Sequence, residues 1–213
     1  MSIQHHPSEA LLADYASGAI ADGPGLTLAV HLESCAQCRA AVQAMEAVGG
    51  ALLEALPGAP MDPQALDMAL ARIERPYVAA PSRSPATSSR LGPLPRALAG
   101  RRIGMRRFVT PELWVAHVGS NAPDGWRTYL LYAGKGMGLL NHGHKGPELT
   151  AVLRGAFRDE GGVYRRGDLA ETDVVDVHEP KVEGDDPCLC LISAQGGVAI
   201  KGLGRLLRPF LQV

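Results

Sequence analysis

Three residues near the N-terminus, His31, Cys35 and Cys38, have the spacing of ligands for one metal ion. On a helix or at a helix start, steps of four and three residues bring side chains to one side. Imidazole and thiolate are the donors a tetrahedral zinc prefers. A fourth ligand must come from elsewhere, and His5 and His6 lie upstream on a segment able to fold back. His6 is the expected ligand, with His5 its competitor. The same C-x-x-C could be a redox pair or two buried thiols, but one histidine in register, His31, and another further upstream favour zinc. A second group has the spacing Gly136-x5-His142-x-His144-x3-Glu148-x6-Gly155. Alternate residues on a strand share a face. Lys145-Gly146-Pro147 can turn the chain so that Glu148 faces the same interior. Two imidazoles and a carboxylate converging there bind Zn, Mn, Fe or Ni; the alternative is a barrel that keeps these residues without a metal.

The first group needs helices to hold it. Leu11, Leu12, Tyr15 and Ile20 recur near helical spacing behind a candidate cap, Ser8. Ala21-Asp22-Gly23-Pro24-Gly25 breaks the pattern, and a second apolar stretch runs from Leu26 to Leu32. A third helix should start near Ser34 and pass through Val42, Met45, Val48, Leu52 and Leu53, until Pro57, Gly58 and Pro60 stop it. Asp62-Pro63 signals the start of a fourth, with Leu66, Ala69, Leu70 and Ile73 on one face. The second group needs strands. Trp114–Val118, Arg127–Tyr132 and Leu149–Leu153 are short β-prone runs, separated by turns such as Ala122-Pro123-Asp124-Gly125 and Asp159-Glu160-Gly161-Gly162. Short strands with glycine turns predict an antiparallel sandwich or barrel. The fold class expected is therefore multi-domain, a small all-α metal-binding unit followed by an antiparallel β-barrel.

Between the two, Pro76–Pro95 is rich in Pro, Ser and Arg, with five prolines in twenty residues. It reads as a linker, giving 1–75 as the helical domain, 76–100 as the joint and 101–213 as the barrel domain. The chain of 213 residues has a formal net charge of −1, which conceals an uneven distribution. Residues 1–75 carry three basic and nine acidic side chains, residues 76–110 seven Arg and no acid, and residues 111–213 eleven basic and thirteen acidic. An acidic first domain argues against a DNA-binding zinc finger or a direct DNA-binding repressor. No apolar run reaches the ~18 residues of a membrane span, and MSIQHHPSEA lacks the features of a signal peptide. A cytoplasmic protein is expected, with its four cysteines as thiols or ligands. Arg101, Arg102, Arg106 and Arg107 read as a solvated strip. Cys188 and Cys190 alternate on one strand and read as buried structural thiols, with a redox role the alternative. His117 is a weaker ligand candidate, read as a strand surface residue.

The pattern His6-x24-His31-x3-Cys35-x2-Cys38, with Leu11-Leu12-x-Asp14-Tyr15-Ala16-Ser17-Gly18 in the first helix, resembles the zinc-binding anti-sigma domain. The second spacing matches the first cupin motif. The second cupin motif departs from its usual form: Arg165-Arg166-Gly167-Asp168 occupies the P-x-G region, and Ala170 stands where a histidine is usual. His178 is the available fourth ligand of a barrel site with His142, His144 and Glu148. An anti-sigma domain followed by a cupin resembles the ChrR type of zinc-dependent anti-sigma factor. That resemblance implies one-to-one binding of an extracytoplasmic-function sigma factor, denying it to core RNA polymerase. It also implies zinc at the first site, zinc or another divalent transition metal at the second, and release under oxidative stress such as singlet oxygen. The apolar face of the fourth helix, Leu66, Ala69, Leu70 and Ile73, has two readings: it packs within its own domain, or it lies in a groove on the sigma factor. The competing reading is a metal-dependent cupin enzyme, a dioxygenase or isomerase, with a regulatory helical domain.

Overall fold

The computed structural model describes residues 2–74, 93–119, 125–138, 142–144, 146–172, 177–196 and 198–200; at 142–144, 177–178 and 198–200 the backbone alone is described. Four helices come first: α1 (Glu9–Ala16), α2 (Asp22–Ser34), α3 (Ala36–Glu54) and α4 (Ala65–Ile73). Ser8 caps α1, its Oγ accepting from the Leu11 amide at 3.3 Å. α2 starts inside the expected breaker. Pro24 is tolerated there because first-turn amides have no intrahelical partner. Gly23 lets the helix lie close to the sheet, since a Cβ at that position would sit 2.8 Å from Thr128 Oγ1. One residue, Cys35, separates α2 from α3 and serves as the N-cap of α3.

Twelve strands follow among the described residues: β1 (Arg107–Thr110), β2 (Leu113–His117), β3 (Trp126–Ala133), β4 (His142–His144), β5 (Glu148–Arg154), β6 (Ala156–Asp159), β7 (Gly162–Arg165), β8 (Leu169–Thr172), β9 (Val177–His178), β10 (Lys181–Val182), β11 (Cys188–Gln195) and β12 (Val198–Ile200). They form a six-stranded sheet in the order β1-β2-β3-β11-β5-β8 and two three-stranded sheets, β10-β6-β7 and β12-β4-β9. Every strand pairing is antiparallel, as expected of a sandwich or barrel. The expected turn at 122–124 lies outside the described residues, whereas Glu160-Gly161 joins β6 to β7 as read.

β11 lies within the large sheet and is buried on both faces. Cys188, Cys190 and Ile192 pack with Val152, Phe157, Ala170 and Val182, between the large sheet and β10-β6-β7. Leu189 and Leu191 point the other way, packing with Trp114, Leu130 and two residues of α2, Leu26 and Val30. A second cluster joins Leu12, Leu28, Leu32 and Val42 of the helices to Leu149 and Leu169 of the sheet. Full burial of one such leucine is worth about 2–3 kcal/mol. Where α2 crosses the sheet, Thr27 Oγ1 lies 2.7 Å from Ser193 Oγ, which lies 2.9 Å from Thr128 Oγ1. These buried hydroxyls satisfy one another.

Most of the expected linker falls within 75–92, outside the described residues. Its C-terminal end is fastened to α2. Leu98 is buried, Glu33 accepts from the Arg96 and Ala97 amides at 3.0 and 2.5 Å, and Arg101 pairs with Asp22 through both carboxylate oxygens at 2.7 and 2.8 Å. Arg101 thus leaves the expected solvated strip, and so does Arg106, whose guanidinium lies 4.7 Å over the Trp114 ring.

Candidate metal centre

His31 stands in the last turn of α2, Cys35 at the corner and Cys38 in the first turn of α3. The one-residue corner holds all three together, and the extended segment before α1 brings His6 to them. The four donor atoms lie within 4.8 Å of one another. His31 Nε2 is 3.3 Å from Cys38 Sγ, and His6 Nδ1 is 3.3 Å from Cys38 Sγ and 3.4 Å from Cys35 Sγ. Metal–ligand bonds of tetrahedral zinc imply nitrogen-to-sulfur edges of about 3.6 Å, so the cluster is consistent with a zinc site. Two thiolates and two neutral imidazoles would leave a divalent ion uncharged overall, which suits a buried position. His5 is excluded from the cluster; its ring lies on Tyr164, with centroids 4.1 Å apart.

Local chemistry matches that donor set. Burial holds His31 below its ordinary pKa, against the opposing hydrogen bond from its Nδ1 to the Gly167 carbonyl oxygen at 2.8 Å. The lowered pKa favours the neutral ring, the form in which a histidine binds a metal. Burial first, then hydrogen bonding and charge from Cys35, push the Cys38 thiol up to about 12. The N-terminal amides of α3 help a thiolate, the Cys38 amide pointing to Cys35 Sγ at 3.4 Å. A thiolate here would be favoured by a nearby cation, which a divalent metal would supply. Arg39 closes the corner by donating to the Leu32 and Glu33 carbonyls at 2.5 and 3.2 Å.

The second expected site is described only in part. Glu148 is buried at the start of β5 and accepts from Thr150 Oγ1 at 3.2 Å. The backbone register sets His142 of β4 opposite His178 of β9, and His144 opposite Val198 of β12. The side chains of His142, His144 and His178 lie outside the described residues. Cys188 and Cys190 face one side as expected, both buried, with sulfurs 3.6 Å apart. Sequence reasoning missed Tyr129, whose phenol is raised well above its ordinary pKa by desolvation and then by the charges of Glu148 and Cys190. Its place in a β-prone run gave no sign of that neighbourhood. His117 ends β2 half-buried, and its Nε2 has no hydrogen-bond partner among the described residues.

No residue of α4 is buried, so Leu66, Ala69, Leu70 and Ile73 present their side chains outward together with Met68. Val48, Leu52 and Leu53 of α3 and Leu56 just beyond it are also exposed. A set of exposed apolar side chains on one short helix is a candidate interaction surface. The helical pattern in the sequence identified these positions but not their exposure, because a core-facing stripe and a partner-facing stripe have the same period.

Residues 107–197 match the family model of the ChrR cupin-like domain. Over 220 aligned positions, covering all of both chains, the sequence is 34% identical to the anti-sigma-E factor ChrR of Cereibacter sphaeroides. The fold is similar to a chain in the crystal structure of Rhodobacter sphaeroides SigE in complex with the anti-sigma ChrR. That similarity has a TM-score of 0.75 and 33% identity, covering 91% of this chain and 100% of the other. An RmlC-like cupin protein from Ralstonia eutropha is similar over 50% of this chain and 71% of its own, at 17% identity and a TM-score of 0.44. No helix among the described residues is long and apolar enough to cross a membrane.

Proposed function

The chain belongs to the ChrR family of anti-sigma factors, and from that premise we propose that it binds an extracytoplasmic-function sigma factor one to one and denies it to core RNA polymerase. The observation that carries this reading is the match to an anti-sigma factor along the whole of both chains. The protein is a regulator rather than an enzyme, and the cupin-enzyme alternative is set aside on the same ground. Leu66, Ala69, Leu70 and Ile73 form the sigma-binding face, supported by the exposure of that apolar surface. A partner covering it would gain hydrophobic free energy that the free chain leaves unused.

His6, His31, Cys35 and Cys38 hold zinc, which fixes the angle between α2 and α3 and so the direction in which the apolar surface points. His142, His144, Glu148 and His178 hold a second ion, zinc or another divalent transition metal, supported by the buried carboxylate and the His142–His178 register. When bound, that ion supplies a site of net charge +1 whose ligands an oxidant can alter. Residues 1–75 inhibit, 76–100 join and 101–213 sense, acting in the cytoplasm without direct DNA contact. Release follows oxidative stress such as singlet oxygen. Co-expression with a candidate sigma factor should give a stable one-to-one complex that does not bind core polymerase and that frees sigma after singlet-oxygen exposure. A sigma factor that engages core polymerase while still bound to this chain would refute the reading.

A further inference from the structure

All four ligands of the first metal centre come from the helical part of the chain, but its two histidines are held in place by the sheet. The turn from β7 to β8 does this with adjacent residues. The Gly167 carbonyl accepts from His31 Nδ1 at 2.8 Å, leaving Nε2 free to face Cys38. Asp168, 1% exposed, accepts through Oδ1 from the amides of Gln4 and His5 at 2.8 and 3.2 Å. The Leu169 amide donates to the His5 carbonyl at 3.2 Å. His5 is therefore tied at both its backbone groups, and His6 is the next residue. The second oxygen of Asp168 accepts from the Arg165 amide at 2.8 Å, which fixes the carboxylate within its own turn. Gly167 has φ +95, and a Cβ there would lie 3.1 Å from Ile3 Cδ1 and 3.4 Å from Ser34 Cβ. The turn is thus wedged between the segment carrying His6 and the helix end carrying His31. The cysteines have no such dependence, since the start of α3 positions both.

We infer that the β7–β8 turn is the outer shell of the zinc centre, with Asp168 as a positioning residue for His6. Zinc retention and the seating of the sheet against the helices are then one linked equilibrium, and the linkage is reciprocal. This rests on the proposal that the four residues hold zinc. A change in the turn alters zinc retention without touching a ligand, and loss of zinc loosens the turn.

Asp168→Asn tests the first direction at nearly constant volume. The amide has one acceptor oxygen, so it must present its NH2 either to the Arg165 amide or to those of Gln4 and His5. In the full chain, one equivalent of zinc should transfer to a chromophoric chelator about 10- to 100-fold more readily than in the parent. In the cobalt-substituted protein, the charge-transfer bands of the two thiolates should persist while the ligand-field bands weaken, because water replaces His6. A purely structural defect would not separate these signals. Cys38→Ala tests the other direction. Amide hydrogen exchange over residues 165–171 should quicken, although the hydrogen bonds of Cys38 go to His6, His31 and Cys35 and not to the turn. Zinc retention at the parental rate in Asp168→Asn overturns the inference, as does unchanged exchange over 165–171 in Cys38→Ala. Full zinc content in Cys38→Ala overturns the zinc proposal itself and the inference with it.

Discussion

Leu66→Ala, Leu70→Ala and Ile73→Ala, combined on α4, should separate binding from folding. In the free chain the three residues are 67%, 49% and 79% exposed. Full burial of a Leu or Ile side chain contributes about 2.5 kcal/mol. Scaled by those exposures, complete cover by a partner would yield about 5 kcal/mol. Alanine keeps one methyl group at each position, so the triple variant should lose about 3 kcal/mol of binding, roughly 200-fold in Kd. The free chain should hardly notice. Alanine is the best helix former, and exposed substitutions generally stay within about 0.5 kcal/mol. Fluorescence anisotropy with a labelled sigma factor measures the first quantity, and thermal unfolding the second. A Kd within about threefold of the parent, at unchanged zinc content, would refute the assignment of this face. A lowered melting temperature with binding intact would show that the face packs against its own chain.

Zinc uptake at neutral pH must displace the Cys38 proton, because the thiol is pushed up to about 12. With Cys35 and Cys38 both bound as thiolates, apparent zinc affinity should rise by nearly a hundredfold per unit between roughly pH 6 and 8, and a slope in Cys38→Ala equal to that of the parent would remove Cys38 from the ligand set. Glu148→Ala should lower barrel metal content by elemental analysis while leaving sigma affinity unchanged and the complex locked when singlet oxygen arrives; full metal content with normal release would shift attention to Cys188 and Cys190. Thr27→Val should cost about 1–2 kcal/mol in urea unfolding, since it takes from Ser193 one of two hydroxyl partners in a buried chain. Unchanged stability would mean that the hydroxyl chain contributes nothing to holding α2 on the sheet.

The His/Cys cluster was legible because its spacing is local. Steps of four and three residues around one corner fix three donors wherever the helices lie, and only the choice between His5 and His6 needed coordinates. The His5 ring lies on Tyr164, and His6 is the histidine that joins the cluster. The strands were legible at Trp114, Arg127 and Leu149, where β-branched and aromatic residues run between turns. α2 was read short at its start, since Pro24 and two glycines suggest a breaker, whereas a first turn tolerates proline and the sheet demands a small residue at Gly23. The roles of Gly167 and Asp168 were illegible. They depend on contacts spanning more than a hundred positions, and a Gly-Asp pair in a recognisable barrel motif already had an adequate explanation.

The bond from the Gln4 amide to Asp168 spans 164 positions, and that separation has a consequence for biosynthesis. At about 5–20 residues per second, residue 168 leaves the ribosome roughly 8 to 33 seconds after residue 4. Residue 168 follows Ile73, the last residue of α4, by 95 positions, so for roughly 5 to 19 seconds of that interval the four helices, Cys35, Cys38 and the apolar face of α4 are outside while the turn that holds His31 and the backbone of His5 has yet to be made. On the proposed assignment, the nascent chain offers the exposed face of α4 before the barrel half exists. A sigma factor translated nearby would then meet an inhibitor still lacking the half proposed to let it go.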